Sequence, residues 1–482
     1  MGTVREQPRT LPERAVTRRT IPLKGGEKLP LMATLRPLPV LATALLFATA
    51  PCSSAFGQPR QAPQDVDLSR PLALDDAIRI ALTHQPALGI ARARVDSARA
   101  RVTQSASSYF PQIAPTVQYV NNKTMVGTTS GPPVSFTSEQ TTSSITLRQL
   151  IYDTGKREAN VAAARAGARS SEFGLLDTRQ QIIQDVTTAW YEVLRRQELV
   201  KVQQANVDRA KTTLDATRAF ADAGSSPRKD VLQAQADYDN AVVQLQVAVN
   251  DVRLAQTSLK NAMGLVTPLA LVLPETQLPL PDSAPDKRTA KDYLDLALKN
   301  RPDLKRDLAS AAAQRQSLRV AQIEAGVQVA ANVTESYQFD TDRGEYRTFL
   351  ATMTYPLFDG GLVRAQVRDA RATLTQAQLA VEQTRQALQL AVDQAFISKE
   401  EARIRIGSTQ SAVRAARENY AAARESQKEG AGTIIDVITA QAQLVTAETN
   451  AIQAIYDYYS ADAQLQRAIG ANDHYSVGGN KP

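Results

Sequence analysis

The chain of 482 residues has one cysteine and two histidines, and only 5% of it is aromatic. Each scarcity excludes something. Cys52 lies in a stretch that reads as a cleaved leader, so a mature chain would be free of cysteine, without disulfides or thiolate metal sites. His84 and His474 are too far apart in sequence to suggest a histidine metal cluster. Few aromatics mean little of the bulk that usually fills one large globular core. Alanine and glutamine are conspicuous instead, as in long helices packed side by side. From Arg157 to Ala223 there is no proline, and the only glycines are Gly167 and Gly174. Past the leader, no uncharged apolar run approaches the roughly 20 residues of a membrane-spanning helix. An exported product is therefore soluble or crosses a membrane by strands. No nucleophile–base pair and no phosphate-cradling loop is present either, so the sequence nominates neither catalysis nor a cofactor.

The net charge is +7, which raises nucleic acid as a partner until the charge is located. Residues 1–57 hold eight basic and three acidic side chains, a surplus of +5 that leaves 7 − 5 = +2 for the rest. So small a surplus gives no basic face to follow a phosphate backbone, and no nucleic-acid partner is expected. Within residues 1–57, MATLRPLPVLATALLFATAPCSSAFGQ begins at Met32 with Arg36 at its charged end. An apolar run from Val40 to Ala50 and small residues follow, the pattern of a secretory signal peptide. Cleavage fits after Ala55 or after Gly57, with Met32 as the expected start. TRRTIPLK resembles a twin-arginine signal but lies too far upstream of the apolar run. Ala50-Pro51 is poor chemistry for lipidation of Cys52, which is not expected.

The phrase ALTHQPAL at 81–88 returns as ALKNRPDL at 297–304, an offset of 216. At the same offset IAPTVQYV (113–120) falls on VAANVTES (329–336). The offset then drops to 206, where Tyr152-Asp153-Thr154-Gly155 falls on Phe358-Asp359-Gly360-Gly361. It holds through Ala189 and Ala395, Gly224 and Gly430, Asp230 and Asp436, and Gly264 and Gly470. Ten residues are missing from the second copy, opposite NNKTMVGTTSGPPVSFTSEQ, which is expected to be a loop. Constant spacing over so many anchors indicates one structural unit used twice. The expected organisation is 1–57 leader, 58–70 N-terminal segment, 71–264 first repeat, 265–286 proline-rich connector, 287–470 second repeat and 471–482 polar tail.

Each copy opens with helical sequence broken at Pro86 and Pro302. Two alternating stretches follow: Ile113, Pro115, Val117 and Tyr119 share one side of the first, and Ile145, Leu147 and Ile151 share one of the second. The later copy offers Val329, Ala331 and Val333, then Phe349, Ala351, Met353 and Tyr355. Strands of about ten residues with one greasy side suit a membrane β-barrel, though any amphipathic hairpin looks alike. After Gly155, Val186, Val193, Val200, Val207 and Leu214 recur every seven residues, the mark of a helix lying along a neighbour. A helix over 157–222 extends about 99 Å at 1.5 Å per residue. It should stop at AGSSP (223–227), with Gly224 turning, Ser226 as N-cap and Pro227 opening the return helix. The second copy turns at EGAGT (429–433). Four strands cannot close on themselves, so strands in lipid imply several chains sharing one barrel.

The signal peptide, the doubled unit, the FDGG step at 358–361 and the tips AGSSPRKDVLQAQ (223–235) and EGAGTIIDVITAQ (429–441) resemble the TolC family of outer-membrane efflux proteins. The resemblance covers about 71–470. It implies a mainly α fold with a small membrane β part. As a homotrimer, the helix–strand–strand–long helix–helix units would form a 12-stranded β-barrel and a long α-helical barrel. It further implies a passive channel of a tripartite efflux or type I secretion system, set in outer-membrane lipid and reaching through the periplasm. The partners would be a periplasmic adaptor and an inner-membrane transporter, met through the tips. Gly224, Ser225, Ser226, Lys229, Asp230, Gly430, Gly432, Thr433 and Asp436 are the candidate tip, gating or docking residues. Some relatives narrow the tip with aspartate rings. Asp436 matches one ring position, whereas Thr439 stands at the second and Gln427 and Gly432 at the linking tyrosine and arginine. For Asp230 and Asp436, helix capping is an equally open reading. A secreted coiled-coil scaffold or an adaptor would explain the rods but not the paired strands. His84 is expected as an exposed helix end and Trp190 as packing between helices.

Overall fold

The computed structural model describes residues 71–128, 131–266, 278–281, 286–339 and 344–471. The expected leader with Cys52, the expected segment 58–70, most of the expected connector and the expected tail with His474 lie outside the described residues. Helices α1 (Leu74–His84) and α2 (Pro86–Ala106) lead through a single 3₁₀ turn into β1 (Gln112–Thr128) and β2 (Gly131–Tyr152). Then come α3 (Lys156–Asp222) and α4 (Arg228–Ala262). The series repeats as α5 (Ala290–Asn300), α6 (Pro302–Ile323), β3 (Gln328–Gln338), β4 (Gly344–Thr354), α7 (Leu362–Lys428) and α8 (Ile434–Ala468). Both α3 and α7 have 67 residues, and both α4 and α8 have 35. Rods of that length run for about 100 Å.

The doubled phrase marks a joint. Ala81 and Ala297 are fully buried, and Pro86 and Pro302 each occupy the first position of a new helix, where a missing N–H costs nothing. Against the first joint lies Gly264, at φ +73, where a Cβ would stand 2.8 Å from Gln85 Cα. Gly470 meets the backbone of Asn300 and Arg301 in the same way. Each joint also caps the end of its return helix: Gln85 Nε2 donates to the Ala262 carbonyl at 3.0 Å, and Arg301 Nη1 to that of Arg467 at 2.8 Å. Around them sit two related cores. The first gathers Ile78, Leu82, Val186, Trp190, Leu259 and Met263; the second, Tyr293, Val392, Leu465 and Ile469. Trp190 is buried between helices as expected, its Nε1 donating to the Leu72 carbonyl at 3.3 Å. His84 is half-buried rather than exposed, with Nδ1 3.0 Å from the Ile80 carbonyl.

The seven-residue stripe on α3 faces inward: Val186, Val193, Val207 and Leu214 are buried. The helices pack side by side in the order α4–α3–α8–α7 towards the glycine turns and α2–α3–α6–α7 towards the strands. At the strand end, Thr154–Gly155 and Gly360–Gly361 are consecutive left-handed residues. They turn each strand pair into its rod, and the aspartates before them cap the new helices. Asp153 accepts from Arg157 N at 2.8 Å, and Asp359 from Gly361 N and Val363 N at 2.9 and 2.8 Å. That explains why YDTG and FDGG recur.

The four strands form one antiparallel sheet in the order β1-β2-β3-β4. The expected loop at 121–140 is corrected: most of it is strand. β1 and β2 have 17 and 22 residues, against 11 each for β3 and β4 and the ten or so expected. Its Asn, Ser, Thr, Gly and Pro content suggested a loop, yet a continuous antiparallel ladder from Val120–Gln140 to Val126–Val134 satisfies the backbone. Pro132 and Pro133 sit at the start of β2, above the end of β3, where β1 is the one paired strand among the described residues.

Candidate functional site

At the first tip Gly224, at φ +78, lets the chain turn, while Ser225 N and Oγ both donate to the Phe220 carbonyl at 2.9 Å. The expected N-cap is corrected by one residue. Pro227 is the cap, helix α4 starts at Arg228, and Ser226 Oγ donates to Asp230 Oδ2 at 3.2 Å. Extended φ/ψ at Pro227 places the proline just before the helix rather than inside it. Lys229 is exposed and Asp230 half-buried.

The second tip follows the same path with tighter capping. Gly430 has φ +74, and Ala431 N and Gly432 N donate to the Ser426 carbonyl at 2.9 and 3.0 Å. Thr433 and Asp436 form a reciprocal capping box: Thr433 N donates to Asp436 Oδ2 at 2.9 Å, and Asp436 N to Thr433 Oγ1 at 3.3 Å. The backbone hydrogen bond from Thr433, with its hydroxyl second, holds the exposed Asp436 carboxyl below the usual aspartate range. The capping reading therefore holds for Asp436. The polar candidates bond within their own turns. Beside the turns, the contact between the hairpins is apolar: Ile434 is buried against Leu214 and Ala234, with Val231, Tyr238 and Ile438 around them.

Sequence reasoning missed a polar clasp above that cluster. Gln441, 2% exposed, donates through Nε2 to Asn206 Oδ1 at 2.9 Å and Asp237 Oδ2 at 3.2 Å. Burial pushes the Asp237 carboxyl up, against the opposing pull of the Gln441 amide. Glutamine is so common here that nothing in the sequence sets Gln441 apart. Also missed were two exposed apolar stripes on the outer helices of the row: Leu232, Val243, Val247 and Leu254 on α4, and Leu379, Leu390, Ile397 and Ile404 on α7. Their spacings of 4, 7 and 11 residues are readable, but not whether a neighbour covers them.

At the other end, one face of the sheet is greasy. Ile113, Leu147, Val333 and Phe349 form one row across all four strands. Val117, Ile145 and Met353 extend that face, and all three are exposed. The opposite face carries rows such as Ala114, Thr146, Thr334 and Thr348, with the two central threonine hydroxyls 3.2 Å apart. Tyr119 and Tyr337 stand on the greasy face at its outer limit, and Tyr152, Tyr355 and Phe358 are exposed near its base. Phe110 to Tyr119 covers about 30 Å of extended chain, or about 23 Å of height at a 40° tilt, close to the band that lipid requires between aromatic girdles. Among the described residues, no helix is long and apolar enough to cross a membrane.

Such rods, tips and one-sided strands suit an outer-membrane channel protein, with its sheet at membrane depth and its helices in the periplasm. The family model described as "Outer membrane efflux protein" matches residues 77–265 and 293–471, and the chain belongs to that family. It is 26% identical over 405 residues to the outer membrane efflux protein BepC of Brucella suis, covering 82% of this chain and 85% of that protein. It is 24% identical over 407 residues to the outer membrane protein TolC of Escherichia coli, covering 80% and 79%. The fold is that of the outer membrane protein VceC of Vibrio cholerae, at TM-score 0.72 and 21% identity over 82% of this chain and 96% of that one.

Proposed function

We propose that three copies assemble into one passive duct, joined through their tips to a periplasmic adaptor and an inner-membrane transporter for efflux or type I secretion. One observation carries the three-copy reading: among the described residues, the sheet has one lipid-compatible face and two unpaired edges, β1 and β4. In lipid each unpaired amide or carbonyl costs several kcal/mol, so the edges must meet strands of other copies. Two copies would give eight strands, an interior that side chains fill; three give twelve and leave a conduit. The stripes on α4 and α7, at opposite ends of the helix row, suit the same ring. Residues 71–264 and 287–470 are its building blocks and residues 1–57 its export leader. Gly224, Ser225, Ser226, Lys229 and Asp230 belong to one docking tip, and Gly430, Gly432, Thr433 and Asp436 to the other. With Gln427 and Gly432 at the linking positions, the tip closes by apolar packing around Ile434. Reconstitution in a planar bilayer tests the reading: discrete conductance steps are expected, and purified protein that never conducts overturns it.

A further inference from the structure

The hairpin β1–β2 outruns the rest of the sheet. β3 ends at Gln338 opposite Thr142, whose partner on β1 is Gln118. Beyond that row β1 continues from Tyr119 to Thr128, ten residues or about 33 Å. Among the described residues, the second repeat has no counterpart. On the orientation above, this ribbon projects from the outer surface of the membrane, away from the tips.

Towards its tip the ribbon departs from the polarity of the strands below. In the four-stranded part, the face bearing Ile113, Val117 and Ile145 is greasy, and the face bearing Thr116, Gln118, Thr142 and Ser144 is polar. Beyond Tyr119 the first face of the ribbon carries Asn121, Lys123, Ser135, Thr137 and Glu139, with Asn121 Nδ2 donating to Glu139 Oε1 at 3.0 Å; Met125 is the one large apolar side chain among them. The second face carries Val126 directly opposite Val134, with Phe136 one row below opposite Thr124; Asn122, Ser138 and Gln140 follow nearer the membrane. All three are exposed, Phe136 to 59%. Lipid does not select this pattern, since the apolar side chains lie on the face that is polar at membrane depth. A two-stranded ribbon standing alone in water is marginal at best, and an apolar cluster on it requires a cover. The cover must come from the side of the channel axis.

We propose that Val126, Val134 and Phe136 of neighbouring copies pack against one another over the outer mouth of the channel, forming an apolar constriction of three ribbons. The occupant of this patch is the same patch on the other copies, because the axis is the one place where identical lumen-facing surfaces meet. The inference rests on the three-copy reading, and its test separates the two.

In a background carrying Cys52→Ser, Phe136→Cys introduces the sole thiol. After oxidation of the assembled protein in nanodiscs, disulfide-linked dimers are expected from Phe136→Cys. None are expected from Val117→Cys on the lipid face. Adding Val126→Ser and Val134→Ser should abolish the crosslink. In bilayers, the triple serine variant at 126, 134 and 136 should show raised single-channel conductance. A three-copy, conducting assembly whose Phe136→Cys ribbons fail to crosslink, or whose triple variant conducts like the parent, overturns the constriction and leaves the channel standing. A protein that is monomeric in the nanodisc overturns both.

Discussion

Arg467→Met perturbs the ion pair that ties the end of the second repeat to the first. Arg467 Nη2 donates to Asp177 Oδ1 at 2.5 Å, with side-chain exposures of 10% and 21%. Nη1 donates to Oε1 of the fully buried Gln180 at 3.0 Å, and Gln180 Nε2 donates to the Gly470 carbonyl at 3.2 Å. Removing one partner of a buried pair costs about 3–5 kcal/mol, because the other charge is left behind. Here Asp177 retains Arg306 Nη1 at 3.3 Å and some access to water, which lowers the expected cost to about 2 kcal/mol. At 1.4 kcal/mol per decade that is about 30-fold faster local opening. Hydrogen exchange of α8 amides around 461–470 reads it directly. Arg385→Ala breaks an exposed pair with Glu382 and should change its own segment by less than about threefold. The double variant Arg467→Met/Asp177→Leu should recover part of the loss, since apolar replacement of both charges is close to neutral while Gln180 Oε1 still lacks its donor. Unchanged exchange in Arg467→Met, or an equal effect from Arg385→Ala, would refute the reasoning.

Three further outcomes are expected. The Asp436 carboxyl is depressed by its cap, so the stabilisation it lends is complete above the ordinary aspartate pKa of about 3.9 and lost as pH falls through the folded value. An NMR titration should show that low midpoint, and Thr433→Ala should return it only part of the way, because alanine removes the hydroxyl and keeps the backbone N–H donor. Tyr293 is pushed up to about 12, by burial first and then by its hydrogen bond to Asp286. Its contribution is therefore present below about pH 10 and lost as pH rises through about 12; ultraviolet titration should find a late phenol that Tyr293→Phe removes. Gly264→Ala combines a left-handed φ with a Cβ 2.8 Å from Gln85 Cα, at about 3 kcal/mol in all. Gly224→Ala, in open space, carries only about 1 kcal/mol of backbone strain, and thermal inactivation should rank the two in that order.

Much of the fold is legible in the residues because duplication makes the chain its own comparison. ALTHQPAL and ALKNRPDL point to the joint, and Gly264 and Gly470 repeat because only glycine lets a return helix rest on that backbone. The heptad valines of α3 announce their buried face. The ribbon was not legible: Asn, Ser and Thr satisfy a solvated strand as well as a loop, and only the register shows that 126, 134 and 136 share the polar face of the sheet. Pro227 stands one position earlier than expected because a fixed φ suits an N-cap as well as a first turn. The Gln441 clasp and the α4 and α7 stripes depend on which helices are neighbours, which no local pattern states.

The idea on which the rest depends is that four strands with two open edges must be completed by other copies. Native mass spectrometry of the protein released from nanodiscs tests it most directly. Particles of three chains are the expected result; a population of single chains, still folded and membrane-inserted, would contradict it.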